Sequence, residues 1–337
     1  MPNPSRFNAL RIHNDDASYR SGIESIGIDD LNPGEVLIKT AYSSVNYKDA
    51  LAGTGKGRIL RRFPLVGGID VAGHVLQSRD PAFKEGDAVL ATGCGLSETR
   101  DGGYAEYARL ESRAVIALPA GLSLREAMIL GTAGFTAALA LLRMQANWQR
   151  PDLGPIAVTG ASGGVGSLAI AIFKRAGYRV HAISGKADQA DWLCSLGADE
   201  VLRRDVLADT QPLQSVRFGG GLDTAGGPML ASLLAQTASY GNVVSAGLAA
   251  SADLPASVMP FILRGVSLVG VSSSNATREM REQVWARLAG EWKPATLEHI
   301  CQGEIGLDGL TAAFERMLSG QSLGRVLVRM GHSSGHG

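Results

Sequence analysis

The stretch of this sequence best suited to chemistry is a glycine-rich turn in the middle of the chain. Residues 156–159 have the pattern of a short strand buried in a parallel sheet, and residues 165–176 carry apolar side chains at helical spacing. The turn between them and the first residues of the predicted helix contain Gly160, Ser162, Gly163, Gly164, Val165 and Gly166. Glycines let phosphates approach backbone amides, and the free amides of a helix start attract negative charge. The segment therefore indicates a dinucleotide-binding site, although Ser162 replaces the middle glycine of the strict G-x-G-x-x-G pattern.

Residues at the next two strand ends favour NADP over NAD. The strand predicted over 178–183 is followed by Ser184, Gly185 and Lys186, and Arg203 and Arg204 follow the strand predicted over 199–202. An NAD-preferring site usually has Asp or Glu at this point, to accept a hydrogen bond from the ribose 2′-OH. Cations without a carboxylate suit a 2′-phosphate instead. The alternative is that each of these cations is a solvated surface charge.

The composition is that of a globular protein of two domains. The chain has 337 residues, of which 45% are hydrophobic, and its 32 basic residues balance its 32 acidic ones. This balance argues against nucleic acid or an anionic membrane as a partner. We find no apolar run of membrane-spanning length and no signal-peptide core in residues 1–11, so we expect a cytoplasmic protein. Three scattered cysteines indicate neither a disulfide framework nor a clustered zinc site.

Two regions of different pattern position these residues. Residues 7–128 are mostly β-forming, with glycine and proline at the turns. From residue 129 to 275, strands alternate with helices, which predicts a parallel, doubly wound sheet. We therefore predict an α/β protein with a β-rich catalytic domain over 1–128 and 276–330 and a nucleotide-binding Rossmann domain over 129–275. Residues 331–337 are expected to be a disordered tail or a remnant of expression.

Several motifs make this sequence similar to one family. They are S-V-N-Y-K-D-A-L (44–51), T-G-K-G (54–57), G-I-D-V-A-G (68–73), G-T-A-G-F-T-A (131–137) and V-M-P-F-I-L-R-G (258–265). In combination they resemble the NADPH-dependent acrylyl-CoA reductases, often labelled quinone oxidoreductases, of the medium-chain dehydrogenase/reductase superfamily. The resemblance covers about residues 5–330 and implies that the catalytic domain is GroES-like. It also implies a homodimer in which strand 267–272 pairs with its counterpart.

The resemblance implies a set of site residues as well. Tyr47 would lie against the nicotinamide, and the remaining cofactor contacts would come from Ser162–Val165, Ser184–Lys186, Arg204, Leu248, Ile262 and Ser272. Zinc-dependent relatives carry a catalytic Cys in the segment that matches 45–49 and a His-Glu pair in the segment that matches 68–73. This sequence has Asn46 and Tyr47 in the first and Ile69-Asp70 in the second. We therefore expect no catalytic metal.

A metal-free site suits the reduction of an activated C=C bond, with acryloyl-CoA as the leading substrate. Tyr47 is the first candidate to donate to the developing oxyanion, and Asn46 and Asp49 are candidates to orient it or the substrate. Tyr47 could instead be a packed tyrosine, and Asp49 a helix-start acid. The cations Lys56, Arg58, Arg61 and Arg62 could meet CoA phosphates or could be plain surface charges. The alternatives to this function are an NADPH-dependent reductase of quinones or unsaturated ketones and aldehydes, and a non-catalytic NADPH-binding sensor.

Overall fold

The structure is a computed structural model that describes residues 6–15 and 18–331. The predicted tail therefore lies outside the described residues, except for Gly331. The chain divides into two compact units. The first contains the described residues up to Thr132, Ser274–Glu282 and the described residues from Cys301 on, and the second contains Ala133–Ser273 and Gln283–Ile300.

The first unit is built mainly from antiparallel strands. Numbered along the chain, its strands are β1 (Phe7–Asp15), β2 (Ser18–Ile26), β3 (Val36–Ser44), β4 (Leu65–Val66), β5 (Asp70–Ser78), β6 (Ala88–Thr92), β7 (Tyr107–Leu110), β8 (Ile116–Ala117), β15 (Cys301–Ile305) and β16 (Arg325–Arg329). One sheet has the order β2-β1-β4, and the other has the order β15-β16-β3-β5-β6-β8, with β7 also paired to β3. Apolar side chains of β3, β5 and β6 form one core, which includes Val36, Ile38, Val71 and Val89. Helices α1 (Tyr47–Thr54) and α9 (Leu310–Leu318) also belong to this unit.

The second unit is the predicted doubly wound sheet. Its strands are β9 (Ile156–Thr159), β10 (Val180–Ser184), β11 (Glu200–Arg203), β12 (Gly220–Asp223), β13 (Asn242–Ser245) and β14 (Ser267–Gly270). All are parallel, in the order β11-β10-β9-β12-β13-β14. The helices are α3 (Gly164–Arg175), α4 (Ala190–Ser195), α5 (Gly227–Ala235), α6 (Met259–Arg264) and α8 (Leu297–Ile300). Strand order reverses between β9 and β12, which is where doubly wound sheets bind their ligands.

Two helices, α2 (Leu124–Ala146) and α7 (Arg278–Ala289), each have residues in both units. Each differs from what the sequence analysis predicts. Helix α7 (Arg278–Ala289) continues into a segment, 283–300, that we assigned to the catalytic domain and that belongs to the second unit. The reason is its apolar stripe, because Val284, Trp285 and Leu288 are buried and the Trp285 ring stacks on Phe135 at 6.2 Å between centroids. The first unit therefore regains only Ser274–Glu282 before the chain returns to it at Cys301.

Helix α2 (Leu124–Ala146) is the second correction, because the sequence analysis found no apolar run long enough to span a membrane. By length and composition α2 qualifies, with a mean hydropathy of 1.6 over 18 residues. Of that window, 83% is buried inside the protein, as in the core helices of many globular proteins. The helix starts with a capping box, in which the backbone N–H of Ser123 donates to the Glu126 carboxylate at 2.8 Å. Gly131, at φ 50°, interrupts its helical backbone.

Candidate active site

The glycine turn has the geometry that phosphate binding requires. Strand β9 is fully buried and is followed by Gly160, whose φ of 57° favours glycine. A Cβ on Gly166 would lie 2.4 Å from the carbonyl oxygen of Gly160, so the helix can approach the turn only with glycine there. Gly163 is the N-cap of α3, and Gly164 and Val165 are its first residues. Ser162 is buried and precedes this N-cap.

The structure brings Ser184, Gly185, Lys186 and Arg204 together at the ends of β10 and β11. The backbone N–H of Lys186 donates to Ser184 Oγ at 3.0 Å. A Cβ on Gly185 would lie 2.8 Å from Arg204 Cζ and Nε, so the guanidinium lies directly against the Gly185 backbone. Arg203 differs, because it points to Asp205 at 3.4 Å and its side chain is 81% exposed. Of the two arginines, Arg204 is therefore the one whose guanidinium lies at the turn after β10.

A buried carboxylate joins the glycine turn to the neighbouring turn, and the sequence analysis missed it. Asp223, at the end of β12, accepts hydrogen bonds from Thr159 Oγ1 at 2.7 Å and from the backbone N–H of Gly226 at 2.6 Å. Thr224 donates from its hydroxyl to the Thr159 carbonyl at 3.0 Å. Burial raises the pKa of Asp223 against the opposing effect of these hydrogen bonds. The group fixes the two turns at the point where strand order reverses.

The remaining cofactor candidates follow the last two strands. Leu248 comes shortly after β13, Ile262 lies in α6 and Ser272 follows β14. Leu248 and Ile262 are 66% and 74% exposed, an unusual environment for two apolar side chains. Because carboxyl ends of parallel strands share one edge of the sheet, Leu248 and Ser272 belong to the same edge as the glycine turn, whereas Ile262 lies in the helix that leads into β14.

The three catalytic candidates form the start of α1 in the first unit. Asn46 is its N-cap, and Tyr47 is its first residue, with a 47% exposed side chain. Within the described residues the Tyr47 hydroxyl has no hydrogen-bond partner, which argues against a packed tyrosine and leaves the hydroxyl available to a substrate. Asp49 is buried and accepts from the backbone N–H groups of Asn46 at 3.0 Å and Ile69 at 2.9 Å. Its contacts are those of a residue that shapes the helix start.

Below this helix start lies a buried polar cluster that sequence reasoning did not find. We call Ser44, Asn46, Asp49, Asp70 and Arg325 the buried cluster. Asn46 Nδ2 donates to Asp70 Oδ2 at 2.8 Å and to Asp49 Oδ2 at 3.1 Å. Arg325 Nη1 donates to Asn46 Oδ1 at 3.1 Å, and its Nη2 donates to Ser44 Oγ at 2.7 Å. Arg325 Nη2 lies 3.8 Å from Asp70 Oδ2. The two residues belong to strands that are far apart in sequence, so no local sequence motif predicts this contact.

The electrostatics of the buried cluster are unbalanced, because it holds two carboxyls and one guanidinium. Burial, and then the charge of Asp70, raise the pKa of Asp49 to about 7. Burial also raises the pKa of Tyr104, which packs beside Asp49 and donates to the Ser44 carbonyl at 3.1 Å. For Arg325, burial lowers the pKa, and the charges of Asp70 and Asp49 oppose this. A pKa of about 7 means that the Asp49 carboxyl takes up a proton as the pH falls below neutral.

The chain matches two families of known proteins. Residues 32–120 match the alcohol dehydrogenase GroES-like domain, and residues 164–290 match the zinc-binding dehydrogenase. It is 44% identical over 322 residues to the probable acrylyl-CoA reductase AcuI of Escherichia coli (strain K12), which covers 96% of this chain and 99% of AcuI. It is also 42% identical over 326 residues to the putative quinone oxidoreductase YhfP of Bacillus subtilis (strain 168), with coverage of 96% and 99%. The chain belongs to the acrylyl-CoA reductase and quinone oxidoreductase-like family of medium-chain dehydrogenases/reductases.

Solved structures of this family have the same fold. The YhdH oxidoreductase of Salmonella enterica in complex with NADP is 42% identical, with a TM-score of 0.93 over 96% of this chain and all of that one. The YhfP protein of Bacillus subtilis with NAD bound is also 42% identical, with a TM-score of 0.94 over 97% of this chain and all of that one. The predicted fold class, a GroES-like domain with a Rossmann domain, is confirmed.

Members of the wider superfamily use zinc, and the residues of this chain do not fit it. Asn46 is bound on both sides by Asp70 and Arg325, and Ile69 is a buried apolar residue. Zinc prefers thiolate or imidazole ligands, and neither is present at these two positions. Residues 6–15 and 18–331 contain no group of three or more His, Cys, Asp or Glu side chains arranged for a metal ion. The family description that mentions zinc matches residues 164–290, which include neither position.

The predicted substrate cations, Lys56, Arg58, Arg61 and Arg62, follow α1 and are all exposed. Arg61 is already engaged, because its guanidinium lies 3.6 Å from Glu98 Oε1 and its backbone N–H donates to the Glu98 carbonyl. Glu98 also pairs with Lys48 at 2.8 Å. Lys56, Arg58 and Arg62 therefore remain the better candidates for phosphate contacts.

Proposed function

We propose that this protein is an NADPH-dependent reductase that converts acryloyl-CoA into propionyl-CoA without a metal ion. The observation that carries the proposal is the 44% identity, over 96% of the chain, to a protein named as a probable acrylyl-CoA reductase. The arrangement of Arg204 against Gly185 supports the choice of NADPH over NADH. The residues at the two zinc-ligand positions support a reaction in which the substrate's own carbonyl activates the C=C bond.

In the proposed reaction, each group has a defined task. Bound NADPH would supply a hydride to the β-carbon of the substrate, and a proton would complete the α-carbon. Negative charge would develop on the thioester oxygen after hydride addition and before this protonation, and a hydrogen-bond donor there would stabilise it. The exposed Tyr47 hydroxyl is the donor we propose, with Asn46 and Asp49 fixing the helix turn that carries it. Ser162–Val165, Ser184–Lys186, Arg204, Leu248, Ile262 and Ser272 are the proposed cofactor contacts.

A second candidate function within the enzymes is reduction of quinones or of unsaturated ketones and aldehydes. The 42% identity to a putative quinone oxidoreductase favours it. The substrates of the two functions differ in the part remote from the reacting bond. Only a CoA ester carries phosphates there, which Lys56, Arg58 and Arg62 could bind. Binding energy from a remote handle can lower the barrier at the reacting carbons, so this difference affects rate as well as affinity. A protein that binds NADPH but turns over no substrate would support the third candidate, a sensor.

The test is a panel of acryloyl-CoA, a truncated acryloyl thioester, benzoquinone and a small enal, assayed with NADPH after dialysis against a strong chelator. We expect the highest kcat/KM for acryloyl-CoA. Arg58→Glu/Arg62→Glu should lower it roughly 10-fold or more and leave enal turnover unchanged. Lys84→Glu/Arg316→Glu, an equal charge change at exposed sites, is the control. Faster enal or quinone turnover, or activity that requires added zinc, would contradict the proposal.

We further propose that the protein is a homodimer, formed by the open edge of the second unit's sheet. Strand β14 pairs only with β13 among the described residues, and Leu268 on it is 37% exposed. An open apolar edge strand promotes aggregation unless a second strand covers it. Sedimentation velocity at micromolar concentration should give a dimer, and Leu268→Lys should shift it toward monomer. A wild-type protein that stays monomeric would contradict this pairing.

A further inference from the structure

The Arg325 guanidinium of the buried cluster donates hydrogen bonds to the segment 44–46, which precedes α1, and to Ile129. Arg325 Nε donates to the Ile129 carbonyl at 3.0 Å, and Nη1 donates to the Val45 carbonyl at 3.0 Å. The same group also binds Ser44 Oγ and Asn46 Oδ1. Three consecutive residues, 44–46, are thus held by one side chain that is 2% exposed.

Asp70 holds the same segment from the other side. Its carboxylate accepts from Ser44 Oγ at 2.6 Å and from Asn46 Nδ2 at 2.8 Å. Thr132 also donates to it, from Oγ1 at 2.6 Å and from its backbone N–H at 3.0 Å. The Asn46 side chain therefore has its oxygen fixed by Arg325 and its nitrogen fixed by Asp70, which leaves it a single orientation.

Stability alone does not account for such a cluster. Removing two charges from water costs several kcal/mol per ion, and well-packed apolar residues at such positions are often as stable or more stable. What apolar residues cannot supply is the directional hold on Asn46. Asn46 is the N-cap of α1, and Tyr47 is the first residue of that helix. The orientation of Asn46 therefore affects the position of Tyr47.

We propose that Arg325 and Asp70 are positioning residues that, through Asn46, fix the Tyr47 hydroxyl for catalysis. This inference rests on the proposed function, since it assigns Tyr47 the role of donor. A displacement of about 1 Å at a reacting group can cost roughly 100-fold in rate. Weakening the hydrogen bonds that fix residues 44–46 should therefore lower kcat measurably.

The experiment is a double-mutant cycle on the whole enzyme with acryloyl-CoA and NADPH. Arg325→Lys keeps the charge and loses the fork of donors, and Tyr47→Phe removes only the hydroxyl. We expect each single variant to lower kcat roughly 10-fold to 100-fold, with the NADPH dissociation constant changed by less than about threefold. In the Tyr47→Phe background, Arg325→Lys should lower kcat by less than about threefold, because the group it positions is gone. Arg329→Lys, an exposed arginine on the same strand, is the matched control.

If Arg325→Lys does not fold, as judged by circular dichroism, Asn46→Ala takes its place in the same cycle, because it cuts the link and leaves the ion pair. Equal losses of kcat in both backgrounds, or an unchanged kcat in the Arg325→Lys enzyme, would overturn the inference. So would a Tyr47→Phe enzyme with full activity. A wild-type enzyme without acryloyl-CoA reductase activity would instead overturn the proposed function, so the two failures are distinguishable.

Discussion

We propose that the choice of cofactor depends on Arg204, whose guanidinium lies against the Gly185 backbone at the end of β10. Arg204→Ala should weaken NADPH binding by roughly 10-fold to 100-fold, since a hydrogen bond to a charged group contributes about 1.5–3 kcal/mol, and should leave NADH binding almost unchanged. Arg203→Ala is the control, because Arg203 pairs with Asp205. Fluorescence titration of the wild type and both variants with NADPH and with NADH gives the six dissociation constants. An equal loss for NADPH and NADH, or a wild type that prefers NADH, would contradict the assignment.

At the residue scale, the sequence predicts contacts that depend on local spacing and misses those that depend on the fold. Ser184 is the last residue of β10, Gly185 follows it and Arg204 follows β11, so the alternation of strands and helices is enough to group them. Asp70 and Arg325 are 255 positions apart by number, and only the pairing of β3 with both β5 and β16 brings them under Asn46. The periodicity of a single sequence cannot predict a contact between residues so far apart.

At the element scale, strong periodicity gave the right answer and weak periodicity did not. Helix α9 has such periodicity, because its buried residues Leu310, Ala313 and Phe314 recur at helical spacing. Strand β2 was missed because its side chains are mostly exposed and show no apolar alternation, and its pairing with β1 decides its conformation. Gly131 interrupts the helical backbone of α2 without ending the helix, so a helix-breaking residue does not mark a helix boundary there.

Gly131 gives an element-scale prediction, because the buried cluster occupies the space beside it. Its φ of 50° disfavours other residues, and a Cβ there would lie 2.5 Å from Asp70 Oδ2 and 2.9 Å from Arg325 Nη2. Gly131→Ala should therefore lower the free energy of unfolding by on the order of 3 kcal/mol. Gly22→Ala, in β2 with open space around it, should change it by less than about 0.5 kcal/mol. Denaturant unfolding measures both, and similar values for the two variants would contradict the packing described here.

At the scale of the whole molecule, the protonation of Asp49 should make stability depend on pH. The pKa of Asp49 is raised to about 7 by burial and by Asp70, whereas an unfolded aspartate titrates near pH 4. Tyr104 and Arg325 are the other titratable groups that face it. Between about pH 4 and pH 7 the unfolded chain loses this proton while the folded protein keeps it, so the free energy of unfolding falls as pH rises. The contribution is on the order of a few kcal/mol across that window.

Asp49→Asn removes this titration, so its free energy of unfolding should fall less steeply between pH 4 and pH 7, whatever its absolute stability. Asp152→Asn, at a 71% exposed site, should keep the wild-type slope. All four tryptophans, Trp148, Trp192, Trp285 and Trp292, lie in the second unit, so their fluorescence follows that unit while far-UV circular dichroism follows both. Because Asp49 belongs to the first unit, the change of slope must appear in the dichroism. If it also appears in the fluorescence, the two units unfold together. Equal slopes for wild type and Asp49→Asn would show that Asp49 is ionised throughout this range and that the buried cluster holds no extra proton.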